Sequence, residues 1–162
     1  MDKKKLRVGW FSFTCCEDSA IIFTELLNEH FGQWKNIFDF THINILQKRR
    51  TLVDLDIALI EGAISSQEEE RKVKEIRQHA KKVVAIGACA CIGMPSSQRN
   101  TFGEKEKEEI RFLLDRFSYD DNVRSLKEVI TVDAEVPGCP MDEKKFLEVI
   151  NELIAESKHA PA

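Results

Sequence analysis

Three separate stretches of the 162-residue chain carry cysteines, whose thiolates could bind a metal. Cys15 and Cys16 are adjacent, Cys89 and Cys91 are separated by one residue, and Cys139 lies within a Pro-Gly-Cys-Pro sequence. In a reducing compartment, cysteines spaced in this way do not indicate a disulfide framework. Such cysteines indicate metal binding, catalysis or simple burial. The positions of the cysteines relative to the strands and helices distinguish these three roles.

Short apolar runs alternate with amphipathic segments along the chain, which is typical of parallel β-strands joined by helices. The patterns predict strands over residues 6–13, 37–46, 55–60, 83–87 and 129–132, and helices over 17–31, from 66 onward, over 104–117 and over 142–157. Right-handed crossovers then give an α/β fold, a flavodoxin-like doubly wound parallel sheet with helices on both faces and strand order 2-1-3-4-5. We expect residues 1–162 to form a single domain, with a frayed tail over 158–162.

Each stretch that carries cysteines follows a predicted strand. Cys15 and Cys16 follow the first strand, Cys89 follows residues 83–87, and Cys139 follows residues 129–132. Because the carboxyl ends of parallel strands meet at one edge of a sheet, we expect these thiols to converge there. Four thiolates complete a [4Fe–4S] cluster. The sequence therefore predicts one such cluster, with Cys16, Cys89 and Cys139 as the surest ligands and Cys15 as the natural fourth.

Other chemistries fit the same cysteines. A zinc site is one, although structural zinc sites favour Cys-x-x-Cys pairs, which are absent from this sequence. A redox-sensing disulfide between Cys15 and Cys16 is another, and buried inert thiols without metal are a third. We expect Cys91 to pack beneath the site. The alternative that Cys91 replaces Cys15 as the fourth ligand stays open.

Several residues near the predicted strand ends could act around the cluster. Gly87 and Gly138 would let backbone N–H groups approach its sulfur atoms. Glu61 ends the strand expected between the cysteine-bearing strands, where it could hydrogen-bond near the cluster or relay protons, or else cap a helix or lie in solvent. Arg99 could reach the cluster or a partner, or form a surface salt bridge.

Composition and charge exclude several classes of function. The net charge of −4 and the lack of a long basic run give no reason to expect nucleic acid binding. The basic start is not followed by the apolar region of a signal peptide, and no window reaches the roughly 18 apolar residues of a membrane span. We therefore expect a cytoplasmic protein with no membrane span.

Four motifs follow one another along the chain, each at a predicted strand end. They are Thr14-Cys15-Cys16-Glu17-Asp18-Ser19, Asp56-Ile57-Ala58-Leu59-Ile60-Glu61-Gly62-Ala63-Ile64, Gly87-Ala88-Cys89-Ala90 and Pro137-Gly138-Cys139-Pro140. Taken together, they resemble the small subunit of [NiFe] hydrogenases and the related 20-kDa-type subunit of respiratory complex I. The Glu61-Gly62 stretch and Gln98-Arg99-Asn100 are most similar to the soluble, multi-subunit hydrogenases that couple to nicotinamide or another cytosolic carrier.

The resemblance implies an electron-transfer small (delta-type) subunit of a cytosolic [NiFe] hydrogenase. Such a subunit holds the proximal [4Fe–4S] cluster beside a separate large subunit that carries nickel and iron. It would pass electrons to an NAD(P)- or ferredoxin-linked iron–sulfur or flavin subunit, and would not be catalytic alone. Cys16, Cys89 and Cys139 match ligand positions of the family's motifs.

Two departures from the hydrogenase pattern leave alternatives. Hydrogenase small subunits usually carry Cys-x-x-Cys at the first position, which would place a cysteine at Phe13, whereas Cys15-Cys16 is similar to the tandem pair of the complex I-type subunit. The chain ends soon after Pro140, so we expect no ferredoxin-like second domain. The alternatives are a complex I-like quinone-reducing subunit and a cluster-free redox-sensing or flavin-binding domain. Two carboxylates after the tandem cysteines count against a flavin phosphate at that turn.

Overall fold

A parallel sheet of five strands forms the centre of the molecule. The computed structural model describes residues 5–43 and 52–159. Its elements, in chain order, are β1 (Leu6–Ser12), α1 (Asp18–Ile37), β2 (Phe38–Ile43), β3 (Leu55–Glu61), α2 (Gln67–His79), β4 (Ala80–Ile86), α3 (Gly87–Ile92), α4 (Glu104–Phe117), β5 (Ala134–Val136) and α5 (Glu143–His159). Two short 3₁₀ turns, Ser96–Thr101 and Leu126–Glu128, lie on either side of α4.

The strand order is β2-β1-β3-β4-β5, which confirms the predicted doubly wound order. Every neighbouring pair of strands runs parallel. The chain moves outward from β1 to β2, returns to β3 on the other side of β1, and then proceeds to the opposite edge. Open α/β sheets generally bind their ligands at such a reversal, which here falls at the carboxyl ends of β1 and β3.

The two faces of the sheet are covered by different helices, as the sequence predicts. On one face, Trp10 of β1 packs with Phe23 of α1 and Phe146 of α5 in an aromatic core. On the other face, Ile60 of β3 packs with Val73 of α2. Strands buried on both sides need nearly continuous apolar sequence, which explains why the central strands were recognisable as short apolar runs.

The prediction of a last strand over residues 129–132 is wrong. The strand at that edge of the sheet is β5, a few residues later. The Ser125 and Glu128 side chains form a reciprocal capping box, and the Val129 N–H bonds back to the Leu126 carbonyl, so the chain turns here. The apolar side chains that suggested a strand, Val129, Ile130 and Val132, pack against the α2-side core instead. Cys139 therefore follows β5.

Several other boundaries differ from the predicted ones, and the strand predicted over 83–87 is β4, which begins at Ala80 and ends at Ile86. Helix α1 runs beyond residue 31 to Ile37, because Trp34 in its last turns is buried against Phe23. Of the predicted second strand, residues 44–46 lie outside the described residues. Helix α5 continues to His159, so the first two residues of the predicted frayed tail are helical, while residues 160–162 lie outside the described part. None of the helices in the described ranges has the length and apolar character needed to cross a membrane.

Candidate functional site

The three cysteine-bearing stretches lie at the carboxyl edge of the sheet, as predicted. Cys15 and Cys16 occupy the loop between β1 and α1, and Cys89 lies in the first turn of α3, directly after β4. Cys139 lies in the loop between β5 and α5. The strands β1, β4 and β5 thus each present cysteine at the same end, and β3 with its terminal Glu61 lies between β1 and β4.

Cys15 and Cys89 share a small apolar cluster at this edge. Cys89 is 8% exposed and packs with Ala63 and Val123, and the half-buried Cys15 packs against the same group. The Cys15 thiol lies 3.6 Å from the Phe13 carbonyl oxygen, to which it donates. Burial, together with the nearby Glu61 carboxylate, raises the pKa of Cys15 to about 12. An unliganded Cys15 is therefore a neutral thiol at physiological pH.

Cys16 and Cys139 are both exposed, on the solvent side of the edge. The Asp18 backbone N–H hydrogen-bonds to Cys16 and favours its thiolate. Other effects outweigh this hydrogen bond and raise the pKa of Cys16. They include partial burial, a hydrogen bond with the Asp18 carboxylate and the nearby Cys139 sulfur. The four thiols thus divide into an inner pair, Cys15 with Cys89, and an outer pair, Cys16 with Cys139.

Cys91 belongs to a different environment. It is buried in the core between the sheet and α2, where its sulfur lies 3.6 Å from the carbonyl oxygens of Ala85 and Val136, either of which can accept its single proton. Burial, with a smaller contribution from Glu135, raises the pKa of Cys91 to about 11. These contacts agree with the expected packing beneath the site.

Glu61 is a buried carboxylate, 3% exposed, at the end of β3. Its Oε1 accepts the Ser19 backbone N–H at 3.1 Å, which caps the first turn of α1, so the interpretation as a solvated carboxylate is wrong. Its Oε2 has no hydrogen-bond partner among the described residues. Burial raises the pKa of Glu61, and hydrogen bonds from Ser19 partly offset that rise.

Two glycines join the loops of β4 and β5. Gly87 and Gly138 have φ angles of 78° and 116°, in the region that L side chains rarely adopt. The Ala88 N–H donates to the Gly138 carbonyl at 2.7 Å. A Cβ atom on Gly87 would lie 3.0 Å from the Ser19 hydroxyl oxygen, and one on Gly138 would lie 2.5 Å from the Pro140 carbonyl oxygen. The glycines thus allow the Cys89 and Cys139 loops to meet.

The Ser19 hydroxyl connects these loops to α1. It accepts the Met141 backbone N–H at 3.3 Å, while its own backbone N–H binds Glu61. Ser19 is 4% exposed. One buried serine therefore links the tandem-cysteine loop, the end of β3 and the Cys139 loop.

A second hydroxyl network, which the sequence analysis missed, fixes the Cys15 loop from the other side. The Glu69 carboxylate accepts the Ser65 N–H at 2.7 Å and the Thr14 hydroxyl at 3.0 Å, and the two hydroxyl oxygens lie 2.6 Å apart. The Ser66-to-Glu69 capping spacing was visible in the sequence, and Ser66 does accept the Glu69 N–H. What the spacing could not reveal is that the Glu69 side chain reaches Ser65 and Thr14.

Arg99 contacts the loop that follows α4. Its guanidinium donates to the Asp120 backbone carbonyl at 2.6 Å and lies over the Tyr119 ring, 5.5 Å from the centroid. Both partners belong to the loop after α4. In the described chain Arg99 therefore anchors this loop and forms no salt bridge with a described residue, while its contact with the cluster or a partner stays a prediction.

A single metal ion and a polynuclear cluster place different demands on the spacing of thiol ligands. Tetrahedral zinc with bonds of about 2.3 Å requires sulfur atoms roughly 3.8 Å apart. Within residues 5–43 and 52–159, no three His, Cys, Asp or Glu side chains converge closely enough to hold one metal ion. A [4Fe–4S] cluster binds each thiolate through a different iron, so it suits soft sulfur donors that are more widely separated.

Comparison with known proteins bears on the same segments. The family model described as "NADH ubiquinone oxidoreductase, 20 Kd subunit" matches residues 15–153, which include all the cysteines. A subunit of the F420-non-reducing hydrogenase of Methanothermobacter marburgensis is 30% identical over 131 residues, 72% of this chain and 42% of that protein. The NAD-reducing hydrogenase HoxS subunit delta of Cupriavidus necator is 26% identical over 114 residues, 60% of this chain and 54% of its own length. The chain thus spans about half the length of these curated relatives.

A solved structure shares the fold. It is a chain of an NAD⁺-reducing [NiFe]-hydrogenase in the H₂-reduced state, with a TM-score of 0.81 and 24% sequence identity. The match covers 98% of this chain and 96% of that one. The likeness confirms the α/β architecture over nearly the full length.

Proposed function

Because the chain belongs to the NADH ubiquinone oxidoreductase 20-kDa subunit family, we propose that it is an electron-transfer subunit of a hydrogenase that holds one [4Fe–4S] cluster. The observation that carries the proposal is that the loops after β1, β4 and β5, which all emerge at one edge of the sheet, each carry cysteine. Curated relatives that match the chain are hydrogenase subunits, which supports the class of oxidoreductase.

The proposed ligands are Cys15, Cys16, Cys89 and Cys139. When bound, the cluster would supply reversible one-electron chemistry. The chain's own contribution is to position the thiols and to hold water away from the inner pair, since Cys89 is buried among apolar side chains. Because Cys15 and Cys16 have raised pKa values, cluster binding must displace their protons and is favoured by rising pH.

The proposed partners are a nickel- and iron-bearing large subunit and an NAD(P)- or ferredoxin-linked iron–sulfur or flavin subunit, in the cytoplasm. The names of the relatives support a hydrogenase complex, and one of them is NAD-reducing. Exposure of the outer pair, Cys16 and Cys139, suits a cluster that exchanges electrons with a neighbouring subunit at this edge.

A quinone-reducing, complex I-like subunit is the second candidate. The tandem Cys15-Cys16 pair, which replaces the Cys-x-x-Cys spacing of hydrogenase small subunits, favours it. So does the description of the matching family model, which names a ubiquinone oxidoreductase. Both candidates use the same cluster site and differ in the partner and in the final acceptor.

Purification from native cells under anaerobic conditions distinguishes the two. The tagged full chain should bring down a nickel-containing subunit, and hydrogen gas should reduce the cluster of this chain, so that its signal appears in electron paramagnetic resonance (EPR) spectra. A complex without nickel, whose cluster is reoxidised by a quinone analogue and does not respond to hydrogen, would contradict the hydrogenase assignment and support the second candidate.

A further inference from the structure

A serine hydroxyl lies next to the most deeply buried of the proposed ligands. Ser96 begins the 3₁₀ turn Ser96–Thr101, which follows α3. Its Oγ is 3.3 Å from the Cys89 Sγ and also 3.3 Å from the Thr14 carbonyl oxygen, to which it donates. A hydroxyl group has a single proton to donate. Ser96 therefore faces two acceptors and can satisfy only one at a time.

The surroundings determine which acceptor takes the proton once Cys89 binds iron. As a neutral thiol, Cys89 can donate its S–H to Ser96 while the Ser96 hydroxyl donates to Thr14. As an iron-bound thiolate, Cys89 has no proton and becomes an acceptor. The Thr14 carbonyl already accepts the Ala63 N–H at 2.9 Å, so it remains hydrogen-bonded if the hydroxyl turns away.

The apolar neighbours of Cys89 strengthen this preference. The sulfur is buried with Ala63 and Val123, whose side chains offer it no hydrogen bond. A hydrogen bond to an ionised acceptor is stronger than one between neutral groups, and it is strongest where water is excluded.

We propose that Ser96 is a positioning residue that tunes the cluster through Cys89. This role rests on the proposed function. In the cluster-bound protein, the Ser96 hydroxyl donates to the Cys89 sulfur. Hydrogen bonds to cluster sulfurs help to set the reduction potential. Reduction adds negative charge, so a donated bond stabilises the reduced form more than the oxidised form. The Ser96 hydroxyl therefore raises the potential of the cluster.

Ser96 differs in one respect from the other donors near these sulfurs. In the described chain, the Glu17 and Asp18 backbone N–H groups hydrogen-bond to Cys15 and Cys16. Backbone donors remain whatever side chain is present, whereas the Ser96 donor is removed by one substitution. The chain also offers a matched control one residue away, because the Ser97 hydroxyl donates to the Met94 sulfur at 3.2 Å.

The test is an EPR-monitored redox titration of the full chain, purified anaerobically with the subunits that accompany it. S96A should shift the midpoint to a more negative potential, with a roughly three- to tenfold lower ratio of reduced to oxidised cluster at a fixed potential. S96T, which keeps the hydroxyl, and S97A should both titrate like the wild type. An S96A midpoint equal to that of the wild type overturns the inference.

Iron and sulfide counts on each preparation separate this inference from the proposed function. A wild-type chain without a cluster contradicts the proposed function itself, whereas a normal cluster with an unchanged S96A potential contradicts only the role of Ser96. Should S96A fail to retain the cluster, S96T and S96V form a pair of equal shape that differs in the hydroxyl. Retention in S96T with loss in S96V supports the role, and loss in both contradicts it.

Discussion

The two cysteines that compete for the fourth ligand position lie in different parts of the core. Cys15 packs at the carboxyl edge with Cys89, whereas Cys91 lies between the sheet and α2 with two backbone carbonyls within reach of its S–H. A thiol held in this way would have to abandon both carbonyls to reach iron. We therefore assign the fourth position to Cys15.

This assignment predicts different outcomes for two serine substitutions. C15S should lower the iron content per chain and alter the EPR spectrum of the cluster, because it replaces a ligand. C91S should keep the wild-type iron content and lower the free energy of unfolding by about 1–2 kcal/mol, because a buried sulfur is replaced by a more polar oxygen. Iron assay and urea unfolding measure the two effects. Loss of iron in C91S with normal iron in C15S would contradict this assignment and make Cys91 the fourth ligand.

Glu61 makes a pH-dependent contribution to stability whose sign follows from its environment. Burial raises the pKa of the folded-state carboxyl above its unfolded value. Stability is then fully present below the unfolded pKa and is lost as the pH rises through the folded pKa. Glu61 accepts a hydrogen bond from the Ser19 N–H, and the side-chain oxygen of a glutamine at position 61 can still accept that bond.

E61Q should therefore gain stability relative to the wild type as the pH rises from 4 towards 8 in the cluster-free chain. Urea unfolding across this range measures the difference. E68Q is the control, because Glu68 lies exposed on α2 and pairs with Lys72. A constant difference between E61Q and the wild type at all pH values would show that Glu61 does not titrate with a raised pKa.

At the scale of elements, helix α2 holds the cysteine loop through its first turn. The Glu69 carboxylate accepts the Ser65 N–H and the hydroxyls of Ser65 and Thr14, and Ser65 is completely buried. Thr14 directly precedes the tandem cysteines. The helix thus fixes the chain at the point where it leaves β1, which limits the positions that Cys15 can occupy.

Removing the Glu69 carboxylate should lower the free energy of unfolding more than removing the neighbouring Glu68 carboxylate. E69A leaves a buried N–H and two hydroxyls without their acceptor, so we expect a loss of about 2–3 kcal/mol in the free energy of unfolding. E68A removes an exposed, solvent-screened pair with Lys72 and should leave the free energy of unfolding close to that of the wild type. Urea denaturation of the two variants provides the comparison, and equal losses would mean that the network does not hold the loop.

The sequence was informative about elements with strong patterns and uninformative about contacts between loops. Apolar runs identified the central strands, and cysteines after predicted strands indicated the edge of the sheet where the structure places them. Val129 and Ile130 suggested a strand because β-branched side chains suit a strand and a buried turn equally well. The Thr14–Ser65 and Thr14–Ser96 contacts join residues far apart in sequence, and serine and threonine are too common on loops for one sequence to indicate such pairs.

At the scale of the whole molecule, two separate cores support one reactive edge. An aromatic core fixes α1 and α5 on one face, and an aliphatic core fixes α2 and α3 on the other. The loops that carry the cysteines emerge from strands held on both sides, so their spacing is set by the sheet. The sheet order made the common edge of these loops predictable once the strands were recognised.

The most direct test of the central claim is the metal content of the full chain purified without oxygen. The account predicts about four irons and four acid-labile sulfides per chain. It also predicts a dithionite-reduced EPR signal of a [4Fe–4S] cluster, which is lost when Cys16, Cys89 and Cys139 are each replaced by serine. Zinc without labile sulfide, or a chain that holds no metal in its native complex, would contradict it.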